Sequence, residues 1–184
     1  MDQYILMERD GVVSVLWDEG VTAPERMVLL PFAQEVIFNL NQQGVQVIVL
    51  SDQSDWIPGK MELAALEPIH AKMRSLIEEF GGRVADILVC PNAELSVKEC
   101  RFPQTGLFHL AARKYGIKLA ETYFIAGRLE SLQAAWAAGC RTVLVRTGKA
   151  FETLQALRDS AKQPEAVVPD LLSAYTRIFA ANIP

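Results

Sequence analysis

Five short apolar runs, QYILM (3–7), VQVIVL (45–50), ADILVC (85–90), TYFIAG (122–127) and RTVLVR (141–146), recur between segments of helical spacing. Runs rich in Val and Ile with little polar alternation suit strands buried on both faces of a parallel sheet. The intervening segments carry a different period. Phe32, Val36, Ile37 and Leu40 fall on one helical stripe, closed by Gly44, and Ile69, Met73, Leu76 and Ile77 do so within 61–80, closed by Gly81 and Gly82. Pro68 inside that second stretch starts a new helix or kinks the first. Further helices are expected at 106–115, 130–138, 151–158 and 170–180.

Regular strand–helix alternation implies right-handed crossovers and an α/β three-layer sandwich with helices on both faces of a parallel sheet. In such a sheet ligands bind beyond the carboxyl ends of the strands. The loops to watch are therefore 8–11, 51–60, 91–104 and 127–131. The chain has 184 residues, no repeat, no low-complexity tract and no linker, so one domain over 1–184 is expected.

Composition excludes some functions. Asp and Glu number 22 against 18 Lys and Arg, and the basic residues are scattered, which argues against a nucleic-acid surface. The opening MDQYILMERD has no basic region before a long apolar run, and no apolar stretch reaches membrane-span length, so a cytoplasmic protein with no membrane insertion is expected. Three cysteines, Cys90, Cys100 and Cys140, are an odd and small number, which points to reduced thiols, with Cys140 packed at the start of a buried strand.

The carboxyl-end loops carry motifs in a telling order. ERDGVV (8–13) resembles the first motif of the haloacid dehalogenase (HAD) phosphatases, D-x-D-G-V and an aliphatic residue; LSDQS (50–54) resembles the second; CRFP (100–103) resembles Cys-Arg-Lys-Pro; and FIAGRLESLQAA (124–135) resembles the metal-binding fourth motif. With VRTGK (145–149), the chain resembles the D,D-heptose 1,7-bisphosphate phosphatase branch, near histidinol phosphatase, over roughly 3–160. The resemblance implies a HAD-like Rossmannoid fold without a large cap domain.

It also assigns roles, position by position. Glu8 stands where the family has its aspartate nucleophile, and Asp10 stands where it has the acid–base aspartate. Glu carries its charge on a stem one methylene longer, and a misplacement of ~1 Å costs ~100-fold in rate. Ser51 and Arg101 keep phosphate-contacting positions. Phe102 replaces the charge-neutralising lysine, while Gly127 and Ser131 replace the metal-binding carboxylates. The family's Mg²⁺ is not expected here. Its zinc loop is not expected either, because Cys90, Asn92, Lys98 and Cys100 offer two thiolates where structural zinc takes four N or S donors. The old loop geometry should still leave Cys90 and Cys100 close, with a reversible disulfide as one outcome.

Other residues receive plainer readings. His70 and His109 are read as surface or satisfied packing residues. Trp56 is read as tucked on its own domain, the alternative being a plug over the old mouth made with Trp17 and Ile57. Glu130 is read as solvated, and so is Arg128, unless it pairs with Glu8 or Asp10 in place of the missing metal charge. The expectation for function is a pseudophosphatase that serves as a binding, scaffolding or assembly subunit for another protein. A sugar-phosphate phosphatase with an altered site and a weakly binding phospho-metabolite sensor are the alternatives.

Overall fold

A computed structural model of the chain describes residues 3–53, 63–90 and 94–179. In chain order the elements are β1 (Gln3–Glu8), α1 (Ala33–Gln42), β2 (Val45–Ser51), α2 (Leu66–Glu78), β3 (Val84–Val89), α3 (Val97–Cys100), α4 (Gly106–Tyr115), β4 (Tyr123–Ala126), α5 (Leu129–Ala138), β5 (Arg141–Val145), α6 (Ala150–Leu157), β6 (Ala166–Val168) and α7 (Leu171–Phe179). The strands form one parallel sheet in the order β3-β2-β1-β4-β5-β6.

The side-chain period of two divides each strand between two cores. Ile5 and Met7 of β1, with Val45, Val47 and Val49 of β2, meet α1, α2 and α7 on one face. Leu6, Ile48 and Leu50 point the other way, onto α4, α5 and α6. This double burial explains why the strands read as unbroken apolar runs, and it makes the three-layer α/β sandwich a finding. Among the described residues there is no cap domain, and no helix is long and apolar enough to cross a membrane.

Pro68 sits in the first turn of α2, where its missing N–H costs nothing. The short edge strand β6 and the four-residue α3 carry too few periodic residues to be read from sequence. Trp17 is held by its own chain: its Nε1 donates to the Arg26 carbonyl at 3.0 Å, and the Arg26 guanidinium lies 5.2 Å over its ring. Trp56, Ile57 and Asn92 lie outside the described residues.

The cysteine expectation needs correcting. Cys140 is free and buried just before β5, as expected, but Cys90 and Cys100 are joined in a disulfide with Cα atoms 5.4 Å apart. The odd count, which pointed to reduced thiols, says nothing of proximity, whereas the closeness implied by the loop resemblance is found. Cys90 follows β3, Cys100 ends α3, and the fold brings both to the same carboxyl edge.

β1 and β4 are adjacent although four helices and two strands separate them in sequence. Crossovers diverge from this point, and it is here that an open α/β sheet forms its cleft.

Candidate functional site

Glu8 ends β1 at the centre of that cleft and is 3 % exposed. Its carboxylate is fully engaged. The Gly127 N–H donates to Oε2 at 2.9 Å, the Ser131 hydroxyl to Oε2 at 2.7 Å, and Arg128 Nε to Oε1 at 2.6 Å. Burial holds the Glu8 carboxyl above its ordinary range, and the Arg128 charge together with these donors offsets only part of that rise.

Arg128 owes its direction to the turn between β4 and α5. As the N-cap of α5 it has extended backbone, φ −154° and ψ 169°, and its side chain makes no capping bond to the helix. The guanidinium instead reaches across the carboxyl ends of β1 and β2, donating from Nε to Glu8 and from Nη2 to Asp52 Oδ1. Asp52 also accepts the Phe102 N–H at 3.2 Å. The Phe102 ring lies 5.8 Å from the guanidinium carbon and packs on Phe108 and Phe124 behind it. An aromatic face thus stands against a fixed cation, an attractive arrangement. The two carboxylates hold Arg128 firmly protonated despite its burial.

A second buried guanidinium belongs to the residue that follows Glu8. Arg9 is 1 % exposed and pairs with its neighbour Asp10, Nε to Oδ1 at 2.9 Å and Nη2 to Oδ2 at 2.7 Å. The Ser14 hydroxyl adds a third bond to Asp10 at 3.0 Å. Arg9 Nη1 lies 3.0 Å from His70 Nε2. Arginine has no acceptor, so Nε2 must be the unprotonated nitrogen and the ring is neutral with its proton on Nδ1. Burial and the Arg9 charge push the His70 pKa down to about 3.

The remaining candidates spread out from this centre. Ser51 is buried and its hydroxyl accepts from Gln53 Nε2 at 2.9 Å, while Arg101 Nη2 donates to the Gln53 carbonyl at 3.3 Å. Glu130 and His109 are exposed. Gly11, at φ +80°, lets the first loop turn against the loop after β5: a Cβ there would lie 2.7 Å from the Gly148 Cα, and the Thr147 hydroxyl donates to the Gly11 carbonyl at 2.7 Å.

A family profile described as HAD-hydrolase-like matches residues 99–174. The D-glycero-beta-D-manno-heptose-1,7-bisphosphate 7-phosphatase of Pseudomonas aeruginosa is 35% identical over 150 residues, 82% of this chain and 84% of that protein. The chain belongs to the HAD-like phosphatase family. The enzyme of the same description from Neisseria meningitidis serogroup B is 29% identical over 178 residues, 97% of this chain and 95% of its own length. Among solved structures, D,D-heptose 1,7-bisphosphate phosphatase from B. bronchiseptica, complexed with magnesium and phosphate, superposes with a TM-score of 0.86 at 31% identity over 97% of this chain and 99% of that one.

Against this HAD-like frame, the donors present do not suit the family's ions. Mg²⁺ wants near-octahedral oxygen coordination with carboxylates in its shell. Here both Glu8 oxygens are already hydrogen-bonded, and a guanidinium held by Glu8 and Asp52 would repel a divalent ion. Zinc would need thiolates, and the sulfurs of Cys90 and Cys100 are bonded to each other.

Of the positions expected to share a site, Glu8, Gly127 and Ser131 are in direct hydrogen-bond contact, Phe102 reaches them through Asp52 and Arg128, and Asp10 is bonded instead to Arg9 and Ser14. The solvated reading of Arg128 is corrected: it pairs with Glu8, though not with Asp10, because Arg9 already holds that carboxylate. Arg9, Asp52 and the contact of His70 were missed. One signal was available for His70, which shares a helical stripe with Leu66, Ile69, Met73 and Ile77 and is buried with them. None marked Arg9, a charged residue that alternation alone would turn outward.

Proposed function

We propose that this chain is a HAD-phosphatase relative whose cleft has become a fixed ion-pair network without hydrolytic turnover, and that the protein serves by binding another protein. The observation that carries this reading is the bridge from Arg128 to Glu8 and Asp52. A family nucleophile must present a free carboxylate oxygen in line with phosphorus. Glu8 presents neither a free oxygen nor the right stem length. Arg128 is already held by Glu8 and Asp52, and Arg9 by Asp10, so neither guanidinium is left to receive a phosphoryl group. Ser51 and Arg101 are drawn into bonds with Gln53, which weakens the case for a phosphate sensor.

A second reading has its own support. Relatives named as heptose-1,7-bisphosphate 7-phosphatases cover most of the chain, and they favour a Mg²⁺-dependent sugar-bisphosphate phosphatase with an altered site. On that reading Glu8 has to leave Arg128 before each turnover. Purified protein assayed with p-nitrophenyl phosphate and D,D-heptose 1,7-bisphosphate, with and without Mg²⁺, separates the two. The first reading expects rates equal to buffer, and Mg²⁺-dependent phosphate release overturns it. Native affinity purification then tests for a stable protein complex.

A further inference from the structure

The Cys90–Cys100 disulfide lies one hydrogen bond from the ion-pair network, through Phe102 N–H to Asp52, and nothing in the cleft uses it. Cys90 stands directly after β3, and its N–H donates to the Ser51 carbonyl at 2.9 Å. Cys100 ends α3 and is followed at once by Arg101 and Phe102. The Phe102 N–H holds Asp52, Asp52 holds Arg128, and Arg101 holds the Gln53 carbonyl. The cross-link therefore ties the segment that positions Asp52 to the sheet edge. Among the described residues α3 is only four residues long, and Glu94, Ser96, Lys98 and Glu99 are exposed around it. So short and exposed a helix has little stability of its own. Both cysteines, in contrast, are 0 % exposed.

We propose that this disulfide is a redox-operated clamp on the cleft: when a dithiol opens it, the segment through Phe102 is released and Asp52 loses its backbone support. The reaction is ordinary thiol–disulfide exchange. One thiolate of the dithiol attacks a sulfur of the bridge, the S–S bond breaks, and the second thiolate resolves the mixed disulfide. Two electrons pass to Cys90 and Cys100, which take up two protons as thiols, and the dithiol becomes its own disulfide. Burial makes the exchange wait for a local opening of α3. The clamp stands on loop geometry and is independent of whether the cleft turns over phosphate.

The test uses the full chain purified without reductant and then treated, or not, with dithiothreitol. Alkylation after denaturation, read by intact mass, is expected to label Cys140 alone in the untreated protein and all three cysteines after reduction. Amide exchange on the two samples is expected to speed up by about 10-fold or more at Phe102 on reduction, with β5 and α7 unchanged. Three labelled thiols in the untreated protein overturn the proposal. So does an unchanged Phe102 amide in reduced protein. Cys90→Ser with Cys100→Ser is expected to reproduce the reduced exchange pattern, and if that variant does not fold, the wild-type reduction decides. Neither readout depends on hydrolysis, so failure here is distinguishable from failure of the proposed function.

Discussion

Arg128 Nε and Glu8 Oε1 are 2.6 Å apart, in a cleft where Glu8 is 3 % exposed. The same guanidinium holds Asp52, so one side chain at the start of α5 neutralises the ends of β1 and β2. Removing one partner of a buried pair leaves an uncompensated charge and costs roughly 3–5 kcal/mol. Arg128→Ala is expected to lower stability by about that much in urea denaturation. Adding Glu8→Gln and Asp52→Asn should restore part of the loss, since no naked carboxylate then remains. A loss below about 1 kcal/mol for Arg128→Ala would mean that the bridge carries little of the cleft's stability.

Restoring the nucleophile alone should achieve nothing. Glu8→Asp is expected to show no phosphatase activity above buffer, because Arg128 and the missing ligands still exclude Mg²⁺. The combined variant Glu8→Asp, Phe102→Lys, Arg128→Ala, Gly127→Asp and Ser131→Asp is the one expected to bind Mg²⁺ by calorimetry and release phosphate. Its weak point is position 127, where a Cβ would meet the Gly11 carbonyl oxygen at 3.3 Å and the first loop must give by a few tenths of an ångström. Activity from Glu8→Asp by itself would contradict this account of the site.

His70 makes stability depend on pH with a definite sign. Its folded pKa of about 3 lies below the ordinary 6.5, so the unfolded chain takes the proton first. The contribution is complete above pH 6.5 and falls away as pH drops toward 3. The slope is at most about 1.4 kcal/mol per pH unit. His70→Gln keeps an acceptor for Arg9 without the titration. Wild type and variant should therefore diverge in urea midpoint between pH 6.5 and 4, the wild type losing more, whereas parallel curves would refute the assignment.

Loss of the cross-link should also register thermodynamically. The bridged cysteines are separated by 10 residues, and closing a loop of that size stabilises by roughly 2–3 kcal/mol on a chain-entropy estimate. Cys90→Ala with Cys100→Ala, or reduction, should lower the urea midpoint by a corresponding amount, and Cys140→Ala gives the control for simple loss of a buried thiol.

The sheet and its helices were legible because burial on both faces writes itself into the chain: Val47, Ile48, Val49 and Leu50 cannot alternate with polar residues when each face meets a helix layer. The motif positions were legible for a related reason, since the carboxyl ends of β1 and β4 must converge wherever the strands do. β6 was not, because three residues at an edge, half-solvated, carry no period.

Pairing is what the sequence by itself left open. It determined that Glu8, Asp10, Gly127, Ser131 and Phe102 would gather at one edge of a parallel sheet, since local apolar periodicity and strand order dictate that edge. Only the tertiary structure decided that Arg128 turns inward to Glu8 and Asp52, that Arg9 takes Asp10 and leans on His70, and that Cys90 and Cys100, expected to lie close, are bonded to each other. Periodicity describes which face of an element is dry. Which long side chain crosses the gap depends on distances between elements far apart in sequence, and no local pattern encodes those.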